Sequence, residues 1–321
     1  MDTNIAIGKV KLKSKYILAP MAGFSDIGFR TLAYKFGAGL CCTEMVSAKG
    51  LVYNSENSKL LLSTDNDEPI KAAQIFGSEI PFIEKVLKKE ELKKFDIIDF
   101  NFGCPMKKIV SNGEGSALLK NPMLCYDIIK CCTDNTNQEI TAKIRIGYFN
   151  DEKNAVEVSK LIEKAGAKAI TVHGRTRDQF YSGKVDFDMI RQVVEAVNIP
   201  VFGNGNVIDL ESANEMFEKT GCKGIAIGRA AVGAPYIFSV LNGKKATYNL
   251  AYLIKSHISK MLEYFPEKVV VNYMKKHLAA YLFGIPNAKE IKAKIYALNT
   301  IDDLMELIES RKEVFYRNFD I

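Results

Sequence analysis

Asn101 and Cys104 lie at the end of a short apolar segment and carry the side chains there that can take part in chemistry. The segment 97–105, IIDFNFGCP, predicts a buried strand that stops at a turn containing glycine and proline. A thiol at the exit of such a strand can donate a proton or act as a nucleophile. A single cysteine is more often buried and inert, so the role of Cys104 depends on its surroundings.

Polar residues and glycines follow seven other apolar segments at the equivalent position. In chain order they are Pro20, Met21 and Ala22; Glu44; Gln74; Lys143 and Arg145; His173 and Arg175; Asn204, Gly205 and Asn206; and Gly228 and Arg229. Each alone has an ordinary structural explanation, such as a turn or a surface side chain. Their recurrence at one end of successive segments is hard to attribute to chance.

The residue types in this set indicate a flavin nucleotide. The glycine turns near residues 205 and 228, with Arg229, offer backbone N–H groups and a cation to a phosphate. Lys143 can stabilise negative charge on a ring, and the amide of Gln74 can both donate to and accept from a planar heterocycle. Phosphate, polar ring and neighbouring cation together describe FMN.

The apolar segments alternate with helical patterns, which predicts eight strand–helix units. The segments are 16–21, 40–45, 70–76, 97–104, 140–146, 169–173, 200–206 and 224–229. Eight units of this size predict a (β/α)8 TIM barrel, whose active site lies at the C-terminal ends of the strands. A doubly wound sheet is the competing architecture, but no GxGxxG pattern follows the first segment.

The β-rich segments stop near residue 242, and helical periodicity continues over 248–264, 267–283, 288–298 and 301–316. We therefore expect an α/β barrel domain over 1–242 and an all-helical domain over 243–321. Residues 241–287 contain seven lysines and two glutamates. This local excess of positive charge permits an anionic partner, although a solvated helix face is the plainer explanation.

The composition is that of a globular protein. Of the 321 residues, 47% are hydrophobic and 26% charged, and the net charge is +6. No apolar run is long enough for a membrane helix, and residues 1–15 lack the apolar core of a signal peptide, so we expect a cytoplasmic protein. The seven cysteines have no metal-binding spacing, so we expect free thiols and no metal site. Nothing indicates an oligomer.

The motifs, taken together and in order, resemble those of the tRNA-dihydrouridine synthases, most closely the general bacterial type. They are LAPMAG at 18–23, TEM at 43–45, NFGCP at 101–105, TAKIRIG at 141–147, VHGRTR at 172–177, YSG at 181–183, NGN at 204–206 and GR at 228–229. The resemblance extends to the C-terminal region, through YMKKH at 273–277 and FGIP at 283–286. Two positions depart from the family pattern: the family often has aspartate where Asn206 stands and arginine where Lys275 stands.

The resemblance implies FMN-dependent reduction of the C5–C6 bond of uridines in tRNA, with NADPH as reductant. Hydride would pass from flavin N5 to C6, and Cys104 would protonate C5. The residues implied to contact FMN are Pro20, Met21, Ala22, Gln74, Lys143, His173, Asn204, Gly205, Asn206, Gly228 and Arg229. Those implied to contact the substrate are Asn101, Arg145 and Arg175 near the uracil and Lys275, Lys276 and His277 along the tRNA.

Two other functions stay open at this point. Another FMN barrel, such as a dihydroorotate dehydrogenase, would share Lys143 and the glycine turns but would not need a basic helical domain. A non-catalytic tRNA-binding protein would need the helical domain but not Cys104, Lys143 and His173 together. Flavin absorption separates the enzymes from the binding protein, and salt-dependent tRNA affinity separates the synthase from the dehydrogenase.

Overall fold

A closed barrel of eight parallel strands forms the first part of the chain. The computed structural model describes residues 4–245, 247–286 and 288–320. The strands are β1 Tyr16–Leu18, β2 Cys42–Ser47, β3 Ala72–Phe76, β4 Ile97–Phe102, β5 Glu139–Arg145, β6 Ala169–His173, β7 Val201–Asn204 and β8 Gly224–Ile227. Each strand pairs with the next, β8 pairs with β1, and a bridge from Leu18 to Cys41 completes the ring. The predicted TIM barrel is confirmed.

Helices surround the barrel and continue beyond it. Around the barrel they are α1 Ile27–Lys35, α2 Ala48–Val52, α3 Glu56–Leu61, α4 Ile80–Leu87, α5 Glu90–Lys93, α6 Lys107–Val110, α7 Pro122–Asn135, α8 Ala155–Lys164, α9 Phe187–Ala196, α10 Leu210–Thr220 and α11 Ile237–Leu241. Beyond it they are α12 Leu250–Leu262, α13 Glu267–Tyr281, α14 Ala288–Ile295, α15 Ile301–Ser310 and α16 Lys312–Phe315. Short 3-10 helices cover Gly115–Lys120 and Arg229–Ala231. No helix in the described ranges has the length and apolar character needed to cross a bilayer.

The helices begin and end where local signals place them. Asp209 caps α10 in a reciprocal arrangement with Ser212, and Pro122 occupies the first turn of α7 behind Asn121. The helical pattern at 48–62 is divided into α2 and α3, because Asn54 adopts a left-handed conformation with φ 56°.

An N-terminal hairpin that sequence patterns did not predict seals one end of the barrel. Ala6–Ile7 pairs with Val10–Lys11, and the Lys9 amide donates to Glu139 at the start of β5. Its apolar side chains join the buried residues that line the barrel interior. The members of this cluster are Ile7, Leu12, Ile17, Ala19, Leu40, Cys42, Ala72, Ile97, Ala169, Phe202 and Ala226. Only the other end, where the strands terminate, is left for polar chemistry.

Helices α12–α16 enclose a second hydrophobic core, to which α1 contributes Ile27 and Leu32. An antiparallel ribbon pairs Thr247–Asn249 with Asn318–Asp320, whereas the sequence predicted helices alone beyond residue 242. The division into domains 1–242 and 243–321 stays a prediction, and residues 1–3, 246, 287 and 321 lie outside the described part of the chain.

The N-terminus of α1 is tied to the C-terminal helices by a buried polar cluster. Asp26 caps α1 through the Phe29 amide, and its Oδ1 also lies 2.9 Å from His257 Nε2. Its Oδ2 lies 2.8 Å from His277 Nε2, and His257 Nδ1 lies 3.0 Å from the Tyr281 hydroxyl. Because α1 directly follows β1, these contacts set the position of α12 and α13 against the barrel.

Candidate active site at the C-terminal ends of the strands

The strand register brings the polar side chains to one end of the barrel. Asn101 of β4 lies opposite Lys143 of β5, and Arg145 lies opposite His173 of β6. His173 in turn lies opposite Asn204 of β7. Residues opposite one another in register point to the same side of a sheet. Lys143 and Arg145 are two residues apart on one strand, so their side chains also point to one side. These side chains therefore form successive layers inside the mouth of the barrel.

A buried hydrogen-bond network around Asp99 forms the lower layer. Gln74 Nε2 donates to Asp99 Oδ2 at 2.6 Å, and Thr141 Oγ1 donates to Asp99 Oδ1 at 2.6 Å. Asn101 Nδ2 donates to Gln74 Oε1 at 2.8 Å. Burial raises the pKa of Asp99, and the bonds from Thr141 and Gln74 and the charge of Lys143 oppose that rise. Sequence reasoning missed Asp99, although its spacing of two from Asn101 placed it on the same face.

Asn101 also fixes the turn that carries Cys104. Its Oδ1 accepts from the amides of Gly103 at 3.1 Å and Cys104 at 2.9 Å. The Cys104 carbonyl accepts from the amide and hydroxyl of Ser116. Gly115, at φ 60°, allows this packing, since a Cβ there would lie 2.8 Å from the Cys104 carbonyl oxygen. The thiol is thus held on a braced turn.

The Cys104 thiol is half-buried and protonated at neutral pH. Burial raises its pKa above the ordinary value, against a hydrogen bond from the Met106 amide and the charges of Arg145 and Lys143. A protonated thiol suits a proton donor rather than a nucleophile. All seven cysteines are free, as expected, and Cys131 is the other half-buried one.

Lys143 is a half-buried cation at the mouth of the barrel. Burial and the charge of Arg145 lower its pKa to about 8, while Asp99 and Cys104 act in the opposite direction. Its ammonium group makes no hydrogen bond or ion pair with any residue that the structure describes. A half-buried cation in this state is stabilised by an anionic or electron-rich ligand.

Arg145 and Arg175 are buried and brace the loops around the mouth. Arg145 donates to the carbonyls of Gly103 at 2.9 Å, Thr176 at 2.8 Å and Phe180 at 2.7 Å. Its Nη2 has no hydrogen-bond partner among the described residues. Arg175 donates to the carbonyls of residues 182 and 183 and to the side chain of residue 206. Contact of either arginine with a uracil stays a prediction, and their observed bonds shape the pocket.

His173 is neutral. Burial and four surrounding cations hold its pKa well below the usual value. The cations are Lys143, Arg145, Arg175 and Arg229. The Arg175 guanidinium lies 3.4 Å from His173 Nε2, and because a guanidinium only donates, we assign the ring proton to Nδ1.

The turns after β7 and β8 present backbone donors. Gly205 has φ 132°, and a Cβ there would lie 2.8 Å from Val185 Cγ2. Within the described ranges, the amides of Gly205, Asn206 and Gly228 have no acceptor. Asn204 Nδ2 donates to the carbonyl of residue 226, which joins β7 to β8. N–H groups on two neighbouring turns, with an arginine directly after the second, suit a phosphate.

Arg229 is exposed beside these donors, and its guanidinium lies 4.8 Å from the centre of the Tyr181 ring. Arg145 lies 5.5 Å from the same ring. At the exit of β1, Pro20 and Met21 are half-buried and Ala22 is exposed. A Cβ on Gly228 would lie 3.9 Å from the sulfur of Met21, so this exit adjoins the β8 turn.

Helix α13 reaches the mouth through Tyr273 and Lys276. The Tyr273 hydroxyl donates to Glu44 Oε1 at 2.7 Å, and the Gly23 amide donates to the other oxygen of that carboxylate. Lys276 is exposed, and a Cβ on Gly23 would lie 2.9 Å from its Nζ. Lys275 is half-buried. Lys276 is therefore the lysine of this pair placed at the rim.

The expectation that His277 contacts the substrate is corrected by its burial. Its side chain has no exposed surface, and its Nε2 bonds to Asp26 instead. Burial and the neighbouring His257 lower the pKa of His277 to about 4, against the opposing effect of Asp26. In the described part of the chain, Asp26, His257 and His277 each place one atom that could bind a metal within 4.8 Å of the others. Hydrogen bonds to Asp26 already occupy both Nε2 atoms, so we assign the group to packing.

The chain is similar to known proteins over most of its length. Residues 17–318 match the family model described as dihydrouridine synthase. A probable tRNA-dihydrouridine synthase of Rickettsia conorii is 37% identical, over 97% of this chain and 96% of that protein. The tRNA-dihydrouridine synthase B of Pseudomonas aeruginosa is 34% identical, over 93% and 92%. A solved structure of 6-hydroxypseudooxynicotine amine oxidase from Pseudomonas geniculata has TM-score 0.58 and 11% identity, over 74% of this chain and 48% of that chain, and indicates the fold alone.

Proposed function

Because the chain belongs to the dihydrouridine synthase family, we propose that it reduces uridines in tRNA to 5,6-dihydrouridine, with FMN as cofactor and NADPH as reductant. The single observation that carries this proposal is the position of Cys104. A protonated thiol lies on a braced turn within the electrostatic influence of Lys143, a cation with no ion pair among the residues that the structure describes. A reduction that creates negative charge on a ring requires both an acid to protonate the ring and a cation to stabilise the charge.

The residues at the mouth fit FMN. Free amides of Gly205, Asn206 and Gly228, with Arg229, would hold its phosphate. The Lys143 ammonium would lie against the flavin ring, and Gln74 has one amide hydrogen beyond the bond it gives Asp99. Bound FMN would supply the hydride chemistry that brings the reducing equivalents of NADPH to C6 of the uracil.

Cys104 would supply the proton to C5 of the uracil. The thiol carries that proton because burial keeps its pKa above the ordinary value. Asn101 holds the turn in place through two backbone amides, so the sulfur keeps one position relative to the base. The Nη2 group of Arg145 and the Lys143 ammonium would offset the negative charge that builds up on the uracil oxygens.

The helical segment would hold the tRNA while one base enters the barrel. A uridine within folded tRNA cannot enter the mouth of the barrel unless it is turned out of its stack. Lys276 at the rim is placed to contact a phosphate near the extruded nucleotide, and Lys275 extends the positive charge along α13.

Purified protein tests this proposal directly. It should contain FMN, oxidise NADPH and form dihydrouridine in tRNA isolated from cells that lack the modification. Mapping the modified positions in tRNA from cells lacking this protein would identify its target. Flavin-containing protein that reduces a free pyrimidine such as orotate but leaves tRNA unchanged would contradict the proposal. So would tRNA binding by a protein without flavin.

A further inference from the structure

A surface beyond α13 combines exposed aromatic rings with lysines. Phe283 is 85% exposed and Tyr296 is 69% exposed. Lys289 and Lys292 are three residues apart on α14 and lie on one side of it, and Tyr296 directly follows the helix. The adjoining side of α14, with residues 288, 291 and 295, is buried in the second core. We call Phe283, Lys289, Lys292 and Tyr296 the aromatic–lysine face.

The lysines of this face are not neutralised by neighbouring carboxylates. Lys292 Nζ lies 5.8 Å from the centre of the Phe283 ring. Neither Lys289 nor Lys292 has an ion pair or hydrogen bond with a residue in the described ranges. The acidic residue of α14, Glu290, faces Arg311 at 3.4 Å instead. The face is therefore both apolar and positively charged.

The aromatic–lysine face adjoins the mouth of the barrel. Gly233, four residues after Arg229, has φ 78°, and a Cβ there would lie 2.5 Å from the Ala280 carbonyl. The last turn of α13 thus packs directly on the loop that follows β8. Phe283 comes three residues after Ala280, and Lys276 lies one turn before it. Lys276 at the rim and Phe283 of the face therefore lie at the two ends of one stretch of α13 and the turn that follows it.

We propose that the aromatic–lysine face is a second contact surface for tRNA, separate from the pocket that receives the target uridine. This inference rests on the proposed function. Phe283 and Tyr296 stack on unpaired bases, because every base has a flat π-face that an exposed ring can cover. Lys289 and Lys292 contact the flanking phosphates. A second copy of this chain fits less well, since a two-fold contact would bring the same lysines together.

Binding measurements with full-length protein test the inference. We expect Phe283→Ala and Tyr296→Ala each to weaken affinity for whole tRNA by about 5- to 150-fold, the range for loss of one stacked base. Lys289→Gln with Lys292→Gln should reduce the slope of log affinity against log salt by about 2. Tyr53→Ala removes a ring with 69% exposure on the barrel and serves as the matched control. NADPH-dependent flavin reduction should be unchanged in all of these variants.

A short stem–loop containing the target uridine gives a second measurement. The Phe283→Ala variant should bind whole tRNA more weakly but the stem–loop as well as the wild type does. Equal affinity of variant and wild type for whole tRNA overturns the inference, and a change in oligomeric state instead assigns the face to self-association. Both results leave dihydrouridine formation by the wild type intact. Absence of that activity would contradict the proposed function. Weaker tRNA binding by Phe283→Ala would still support the face as a contact surface for tRNA.

Discussion

His277 and Asp26 join α13 to the N-terminus of α1 by a contact of 2.8 Å between two side chains that have no exposed surface. The residues are separated by 251 positions in the chain. The other carboxylate oxygen of Asp26 serves both His257 and the Phe29 amide. One buried carboxylate therefore caps a barrel helix and anchors the helices that stand beside the mouth.

Replacing Asp26 with asparagine should destabilise the protein by about 3 kcal/mol. The variant removes the charge that two imidazoles stabilise and leaves one of them without an acceptor in a dry environment. Urea unfolding measures the change. The matched control is Asp127→Asn on the exposed side of α7, which should stay within about 0.5 kcal/mol of the wild type. Equal stability of the two variants would refute the anchoring role.

Stability should fall as pH decreases from about 6.5 to about 4. His277 has a folded-state pKa of about 4, below the ordinary value, so in this window the unfolded chain binds a proton that the folded chain excludes. The free energy of unfolding then decreases by about 1 kcal/mol per pH unit for this group. The pKa of His173 is also lowered, so this residue likewise makes the free energy of unfolding decrease as the pH falls.

Unfolding titrations at pH 7.5, 6 and 5 would show this slope. His277→Gln keeps a donor toward Asp26 but cannot take up a proton, so it should flatten part of the dependence. A variant as sensitive to pH as the wild type would mean that His277 is charged in the folded state.

Replacing Cys104 with alanine should lower dihydrouridine formation by about 10²- to 10⁴-fold, the usual contribution of a positioned general acid. Flavin content and tRNA affinity should persist, since the turn is held by Asn101 and Ser116 through backbone atoms. Cys131→Ala, which removes the other half-buried thiol, is the control and should turn over normally. Full turnover by the Cys104 variant would exclude it as the proton donor.

Replacing Lys276 with glutamine should weaken tRNA binding and lower the salt slope by about 1, because one phosphate contact is lost. Lys275→Gln is the matched neighbour, with a half-buried side chain, and should have the smaller effect. Reduction of the flavin by NADPH serves as the folding control. If the two substitutions act equally, position at the rim does not determine the contact.

Gly205→Ala should lower the flavin content of the purified protein. Its φ of 132° is unfavourable for alanine, and the added Cβ would lie 2.8 Å from Val185 and 3.3 Å from the His173 ring. The turn that would hold the phosphate must then shift. Gly243 also has a positive φ, but a Cβ there would meet nothing within 4 Å. The Gly243→Ala variant therefore shows the effect of backbone strain without the steric clash. Full flavin content in the Gly205→Ala variant would mean that the phosphate binds elsewhere.

The barrel and its polar mouth could be predicted from the sequence because both follow from local periodicity. Buried strands are continuous apolar runs, and the residues after each run lie at the same edge once the strands are parallel. Register confirms the placement of Asn101, Lys143 and His173 at that edge. The motif resemblance was likewise local, and the family match over 17–318 confirms it.

Contacts between distant segments were decided only by tertiary structure. The Asp99 network, the burial of His277 against Asp26 and the link from Tyr273 to Glu44 join residues 25 to 251 positions apart. Nothing in the periodicity of α13 distinguishes a histidine that contacts solvent from one that contacts a helix cap. Burial of a polar group depends on which partner the fold brings within hydrogen-bond distance, and that pairing is a property of the packed chain.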